Sequence, residues 1–235
     1  MKNTSVKFFL NFLFIFSGWI PVQAQDMNAL VMKVKAKLDK VKDYTADGKM
    51  KTDVAFIKAP IGKVKVFFKS PDKFKLQRDG GISVLPKGGV SINIGSMVMQ
   101  TGFVAIDAGV STVQNLPVRV VKLLPNADAG DIILSTLYID EQNLLIRKSV
   151  TTTRENGTYE MELMYGKYGE YGLPDKVIFS FNAKDYKLPK GITLEFDDTD
   201  KAIKDKMKGR KGRVEINYSA YAINTGLSNS IFNNQ

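Results

Sequence analysis

From Lys49 onward apolar residues alternate with lysines, and a chain patterned in this way is stable only as a sheet with one wet face. In Lys49 to Phe56 the residues Met50, Thr52, Val54 and Phe56 alternate with Lys49, Lys51 and Asp53. In Lys63 to Lys69, Val64, Val66 and Phe68 alternate with Lys63, Lys65 and Lys69, and in Lys73 to Gln77, Phe74 and Leu76 alternate with Lys73, Lys75 and Gln77. Successive side chains of a strand point to opposite faces, so each run has one apolar and one charged face, the mark of a half-buried antiparallel sheet. Ala59-Pro60-Ile61-Gly62 and Ser70-Pro71-Asp72 read as the turns between these runs.

Further strands are expected over Val118–Leu124, Ile132–Asp140, Leu144–Thr152, Tyr159–Tyr165, Lys176–Phe181 and Arg213–Tyr221. In the last, Val214, Ile216, Tyr218 and Ala220 share a face. Asn156-Gly157 signals a hairpin, because a type I′ turn needs positive φ at both positions, and Asp140-Glu141-Gln142-Asn143 turns the pair before it. Ahead of the strands, Asp26 is a good N-cap, and Met27, Leu30, Val31, Val34, Leu38 and Val41 follow helical spacing. Lysines occupy the other side of that helix, which is read as packing its apolar stripe on the sheet; the other reading is a helix lying on an anionic membrane. The expected fold is mostly β: a single large, strongly curved antiparallel sheet with an N-terminal amphipathic helix.

The first 24 residues read as a signal peptide, with Lys2 and Lys7 ahead of an apolar stretch from Phe8 to Ile20. Val22-Gln23-Ala24 is an A-x-A-like cleavage site, which places the cut between Ala24 and Gln25 and leaves one domain over 25–235. The apolar stretch is short of the roughly 20 residues that span a bilayer. An exported chain without cysteine fits a bacterial periplasm, since secreted proteins elsewhere more often carry disulfides.

Composition removes whole classes of chemistry. The chain has no histidine and no cysteine, so it has no Ser-His or Cys-His unit, no imidazole metal site and no thiolate. No metal, cofactor or catalytic residue is expected, and the chain is read as a binding protein and not an enzyme. The best carboxylate pair, Glu160 and Glu162, shares the solvent face of its strand, opposite Met161. Asp197-Asp198-Thr199-Asp200 lacks the glycine and distal glutamate of a calcium loop. The Lys208–Arg213 run has no interleaved aromatic residue, so no nucleic acid is expected, and 197–213 reads as a charged surface insertion. Between Gly80 and Val118 only Lys87 and Asp107 are charged, and Met97, Met99 and Phe103 stand among glycines. That stretch reads either as a mobile edge of a hydrophobic cavity or as central strands buried on both faces.

Several short motifs resemble one family. Leu38-Asp39-Lys40-Val41-Lys42-Asp43-Tyr44 looks like a first helix running into a first strand, and Val66-Phe67-Phe68-Lys69-Ser70-Pro71-Asp72-Lys73-Phe74 like a strand, a proline turn and a following aromatic. Leu137-Tyr138-Ile139-Asp140 followed by Leu145-Ile146-Arg147-Lys148 is similar to a sorting-protein hairpin. Tyr168 to Phe179, with Leu173-Pro174 inside, and Ile223-Asn224 followed by Ile231-Phe232 complete the likeness. Together they resemble the outer-membrane lipoprotein carrier family (LolA/LolB-like). The family's basic residue often stands directly before the proline; here that position is Ser70, with Lys69 one step earlier.

The resemblance implies a half-barrel with a helical lid over an apolar cavity that shields lipid acyl chains. It implies a periplasmic carrier for lipids or acylated lipoproteins, working as a monomer with inner- or outer-membrane partner proteins. The alternative is an envelope scaffold or protein-binding module without lipid cargo. Strand parity makes Val54, Phe56, Val64, Val66, Phe68, Phe74 and Leu76 the expected cavity residues, with Met97, Met99, Phe103, Val177, Phe179 and Phe181 behind them. Lys69 is the candidate head-group contact. On this reading Phe68→Glu should abolish lipid binding in a folded protein.

Overall fold

The computed structural model describes residues 26–53, 61–78, 102–126, 132–154, 157–182 and 211–232. Helix α1 (Met27–Leu38) is followed by β1 (Asp43–Asp53), β2 (Gly62–Lys69), β3 (Lys73–Arg78), β4 (Phe103–Val113) and β5 (Leu116–Pro125). Then come β6 (Ile132–Asp140), β7 (Leu145–Thr153), β8 (Gly157–Met164), β9 (Lys176–Asn182) and β10 (Lys211–Ile223). They form one antiparallel sheet in the order β3-β2-β1-β10-β9-β8-β7-β6-β5-β4, with β3 and β4 as its two edges.

The sheet is bent around α1. One buried cluster contains Met27, Leu30, Val31 and Val34 of the helix together with Met50, Val64, Val121, Leu137, Ile146, Met161, Phe179 and Ile216, drawn from eight strands. A flat sheet of strands about 4.8 Å apart could not bring so many strands to one short helix. Burying those four helix side chains contributes on the order of 6–12 kcal/mol before the entropy of ordering the segment is subtracted. Asp26 caps the helix by accepting from the Asn28 N–H at 2.9 Å, as its sequence position implies. The helix ends earlier than the apolar spacing suggests. The Asp39 N–H closes it on the Lys35 carbonyl and the Lys40 N–H on the Lys37 carbonyl, and Val41 instead joins a second cluster with Tyr44, Ala46, Val66, Phe68 and Leu173.

All strand connections at one rim are tight or ordered: 70–72, the Gln114–Asn115 turn with both φ positive, 141–144, and the 165–175 segment with its one-turn helix Gly169–Tyr171. The α1–β1 link lies at this rim too. The opposite rim carries the connections that follow β1, β3, β5, β7 and β9, the longest of which follow β3 and β9. The helix runs between the rims. Asn28 Oδ1 accepts from Ala105 N on β4 at 3.2 Å near the long-loop rim, and Lys37 Nζ donates to the Asn143 carbonyl at 2.7 Å at the tight rim.

Two expectations are corrected here. Residues 103–113 are not a central strand buried on both faces, one of the two readings of that stretch. They form the edge strand β4, whose Val104, Ile106 and Val110 are exposed. In β10 the alternation does not run through to Ala220. The β1–β10 register shifts between Asp47 and Gly48, so Gly48 pairs with Tyr218 while Asp47 pairs with Ala220. The extra residue, Ser219, reverses the parity: Tyr218 and Tyr221 both pack on the core, and Ala220 is exposed.

Candidate functional site

The inner face of the half-barrel is mainly apolar on β1, β2, β8, β9 and β10. Val64, Val66, Phe68, Val177, Phe179 and Phe181 all lie on it and are buried, and Phe74, Leu76 and Phe103 lie on it half-buried. Val54, Phe56, Met97, Met99, Ala24 and Gln25 lie outside the described residues. The expected residues divide between two clusters. Val64, Val177, Phe179 and Phe181 pack under the helix, while Val66 and Phe68 belong to an aromatic group near the tight rim. In that group Tyr44 sits 5.2 Å from Phe68 and 5.4 Å from Tyr221, and Tyr168 packs edge-on to Tyr221 at 4.9 Å.

Phe68 is 3% exposed, so a glutamate there would be an unpaired buried charge and would unfold the chain. Phe68→Glu therefore does not separate binding from folding. Phe103 does, because it is half-buried at the long-loop rim, where it pairs with Pro125 and packs against the helix-containing cluster. A lone 12-residue helix, about 18 Å long, covers this inner face among the described residues. Apolar residues on both flanks of the helix remain half-buried: Phe74, Leu76 and Tyr218 on one side, Phe103 and Ala105 on the other.

Sequence reasoning missed a polar stripe on the same face. Ser149, Thr151 and Thr153 of β7 and Ser135 of β6 point inward among Leu137, Met161 and Tyr159. Ser135 Oγ and Thr151 Oγ1 share a hydrogen bond at 3.1 Å, whereas Ser149 Oγ is buried without a partner. Their alternation with Lys148, Val150 and Thr152 is visible in the sequence, but small hydroxyl residues do not announce which face is buried.

At the tight rim a buried ion pair seats the helix. Asp140 accepts from Arg147 Nη2 at 2.8 Å and Nε at 3.3 Å, and from Asn143 N and Nδ2 at 3.1 and 2.9 Å. Burial alone would raise the Asp140 pKa, but these hydrogen bonds outweigh it and hold the carboxyl below its ordinary value. The Arg147 guanidinium lies 5.4 Å from the centre of the Tyr165 ring, whose hydroxyl donates to the Ile146 carbonyl at 2.8 Å. Burial lowers the Lys37 pKa, with Lys40 adding to the effect, and burial raises those of Tyr44, Tyr165, Tyr218 and Tyr221. Glu160 and Glu162 sit on the outer face, where Glu160 pairs with Lys148 at 2.8 Å. Among the described residues no group of acidic side chains could hold a metal ion.

Lys69 is on the outer face near the tight rim, where its Nζ donates to the Leu227 carbonyl at 2.7 Å. Lys73 donates to Asn229 Oδ1 and Lys75 to the Ile231 carbonyl, so three lysines hold the C-terminal segment along the β3 edge. Asp43 anchors the start of that segment by accepting from the N–H groups of Thr225 and Gly226 at 2.8 and 3.1 Å.

No protein-family model matches the chain, and no curated protein matches it by sequence. Solved structures do. An outer-membrane lipoprotein-sorting protein domain from Vibrio parahaemolyticus superposes with a TM-score of 0.54 at 12% identity, over 88% of this chain and 95% of that one. A LolA superfamily protein from Nitrosomonas europaea superposes at 0.52 with 10% identity, over 86% and 96%. A DUF1329 family protein from Desulfovibrio piger superposes at 0.50 with 10% identity, over 89% and 98%. The ten-stranded open sheet wrapped on one helix is therefore the LolA-like half-barrel, the fold of the lipoprotein-sorting domains.

Proposed function

We propose that this protein is an exported lipid- or lipoprotein-binding carrier of the periplasm that shields acyl chains on the inner face of its half-barrel. The observation that supports this most is the mismatch between that face and its cover. Apolar side chains line most of the face, broken by the hydroxyl stripe of β6 and β7, yet among the described residues a single helix packs on it and leaves a half-buried apolar flank on either side. An acyl chain laid along those flanks is removed from water at about 0.8 kcal/mol per CH₂. The likeness to lipoprotein-sorting domains points the same way, and the absence of histidine and cysteine favours binding over catalysis.

Native mass spectrometry of protein purified from the periplasm without detergent tests the reading. A population heavier by the mass of a lipid or acylated peptide supports it and gives the cargo class. A delipidated sample that binds no fluorescent fatty acid defeats it. Phe103→Glu should weaken fatty-acid binding at least tenfold while keeping the native melting transition, because the side chain is only half-buried.

A further inference from the structure

The convex face of the sheet is electrically divided. On β7 to β10 the outward cations meet acids: Lys148 pairs with Glu160 at 2.8 Å, and Lys176 with Glu215 at 2.8 Å. Glu215 is held below the ordinary carboxylate range chiefly by its hydrogen bond from Lys176. On β1 to β3 the outward residues include Lys49, Lys51, Lys63 and Lys65, against Asp47 and Asp53 as exposed acids and Asp43 as a buried one. Lys65 has Asp47 at 3.5 Å. Lys69, Lys73 and Lys75 on the same face meet carbonyl and amide oxygens and no carboxylate.

The register makes this division costly for the fold. Lys65 faces Asp47, Lys69 faces Asp43 and Lys51 faces Glu215, but Lys49 stands directly opposite Lys63, and Lys69 has Lys73 on its other side. Like charges facing each other across antiparallel strands destabilise a sheet, and an acid at either position would remove the cost. On β7 and β8 the opposed residues are Lys148 and Glu162, which have opposite sign. A cleft of about 670 Å³ opens in the middle of the lysine face, over the β1–β10 irregularity at Gly48. Lys49, Lys63 and Lys65 line it against a single carboxylate, Asp47, with Gln77, Asn217 and Ser219 as neutral hydrogen-bonding groups.

We infer that the β1–β3 face docks on the surface of an anionic lipid bilayer, with phosphate head groups in the cleft lined by Lys49, Lys63 and Lys65. Charge complementarity selects the bilayer: the cations are spread along the outer faces of three adjacent strands, as a charged plane requires and a single small anion does not. The docking face is on the opposite side of the sheet from the apolar inner face, so it does not depend on the proposed cargo.

The experiment is co-sedimentation of the full mature chain with vesicles of equal phosphatidylglycerol and phosphatidylcholine, and with phosphatidylcholine alone, at about 0.1 M salt, where the Debye length is about 10 Å. The wild type should bind the anionic vesicles and ignore the zwitterionic ones. A lysine at an anionic surface is worth roughly fivefold in partitioning, so the Lys49→Gln, Lys63→Gln, Lys65→Gln triple variant should bind about 100-fold more weakly. A second triple variant, Lys122→Gln, Lys148→Gln, Lys176→Gln, removes the same net charge from the other half of the sheet and should stay within about fivefold of wild type. Both variants should melt as cooperatively as wild type. Equal losses in the two variants would reduce the effect to net charge and overturn the proposal. So would wild type that ignores anionic vesicles, or vesicle binding abolished by millimolar pyrophosphate, which would make the cleft a small-anion site.

Discussion

Arg147→Met tests the ion pair that seats the helix. The Asp140 carboxylate is 8% exposed and takes two of its four hydrogen bonds from the guanidinium, which is itself 11% exposed. Methionine keeps most of the side-chain volume but leaves a buried anion with only the two Asn143 donors. Breaking a buried pair from one side costs about 3–5 kcal/mol. In a domain of this size that lowers the melting temperature by roughly 6–20 °C. The double variant Asp140→Asn, Arg147→Met removes both charges and should recover more than half of the loss, since a neutral buried amide costs far less than an unpaired carboxylate.

The pair also has a pH signature. Because the folded Asp140 pKa lies below its unfolded value, its stabilisation is fully present above about pH 4, the unfolded range, and is lost as pH falls through the folded value. Urea unfolding followed from pH 7 down to about pH 3 should therefore show a steeper acid loss in wild type than in Arg147→Met. The reasoning is refuted if Arg147→Met costs less than about 1 kcal/mol at pH 7, or if the double variant is no more stable than the single one.

Two further variants probe the sheet. A Cβ at Gly48 would stand 2.7 Å from the Asn217 backbone carbonyl oxygen, so Gly48→Ala should destabilise by about 1–3 kcal/mol in urea unfolding despite the lower entropy of its unfolded chain. Ser149→Ala removes a buried hydroxyl without a partner and should be neutral or stabilising by about 1 kcal/mol; a loss above about 1 kcal/mol would mean that the hydroxyl is satisfied in solution.

Much of the inner face was legible because lysine marks the wet side of a strand. At Lys63, Lys65 and Lys69 the charge fixes parity, and Val64, Val66 and Phe68 follow inward by geometry alone. The same rule placed Glu160 and Glu162 outside. It failed where the charges stop. In residues 103–113 only Asp107 is charged, so the sequence could not choose between a cavity edge and central strands, although β4 is an 11-residue strand. It failed again at Ala220, because a bulge arises from how β10 meets β1 and leaves no trace in the β10 sequence.

The sequence by itself determined the local facts: a helix capped by Asp26, strands with one apolar face, and a chemistry without imidazole or thiol. These depend on a residue and its near neighbours, through side-chain alternation and helical spacing. The tertiary structure alone decided which strands became edges, that α1 lies inside the curved sheet, and that Arg147 reaches Asp140 beneath it. It also decided that Lys49 faces Lys63 and not an acid. Strand order and register come from free-energy differences summed over the whole sheet, and no single stretch of the chain contains that sum.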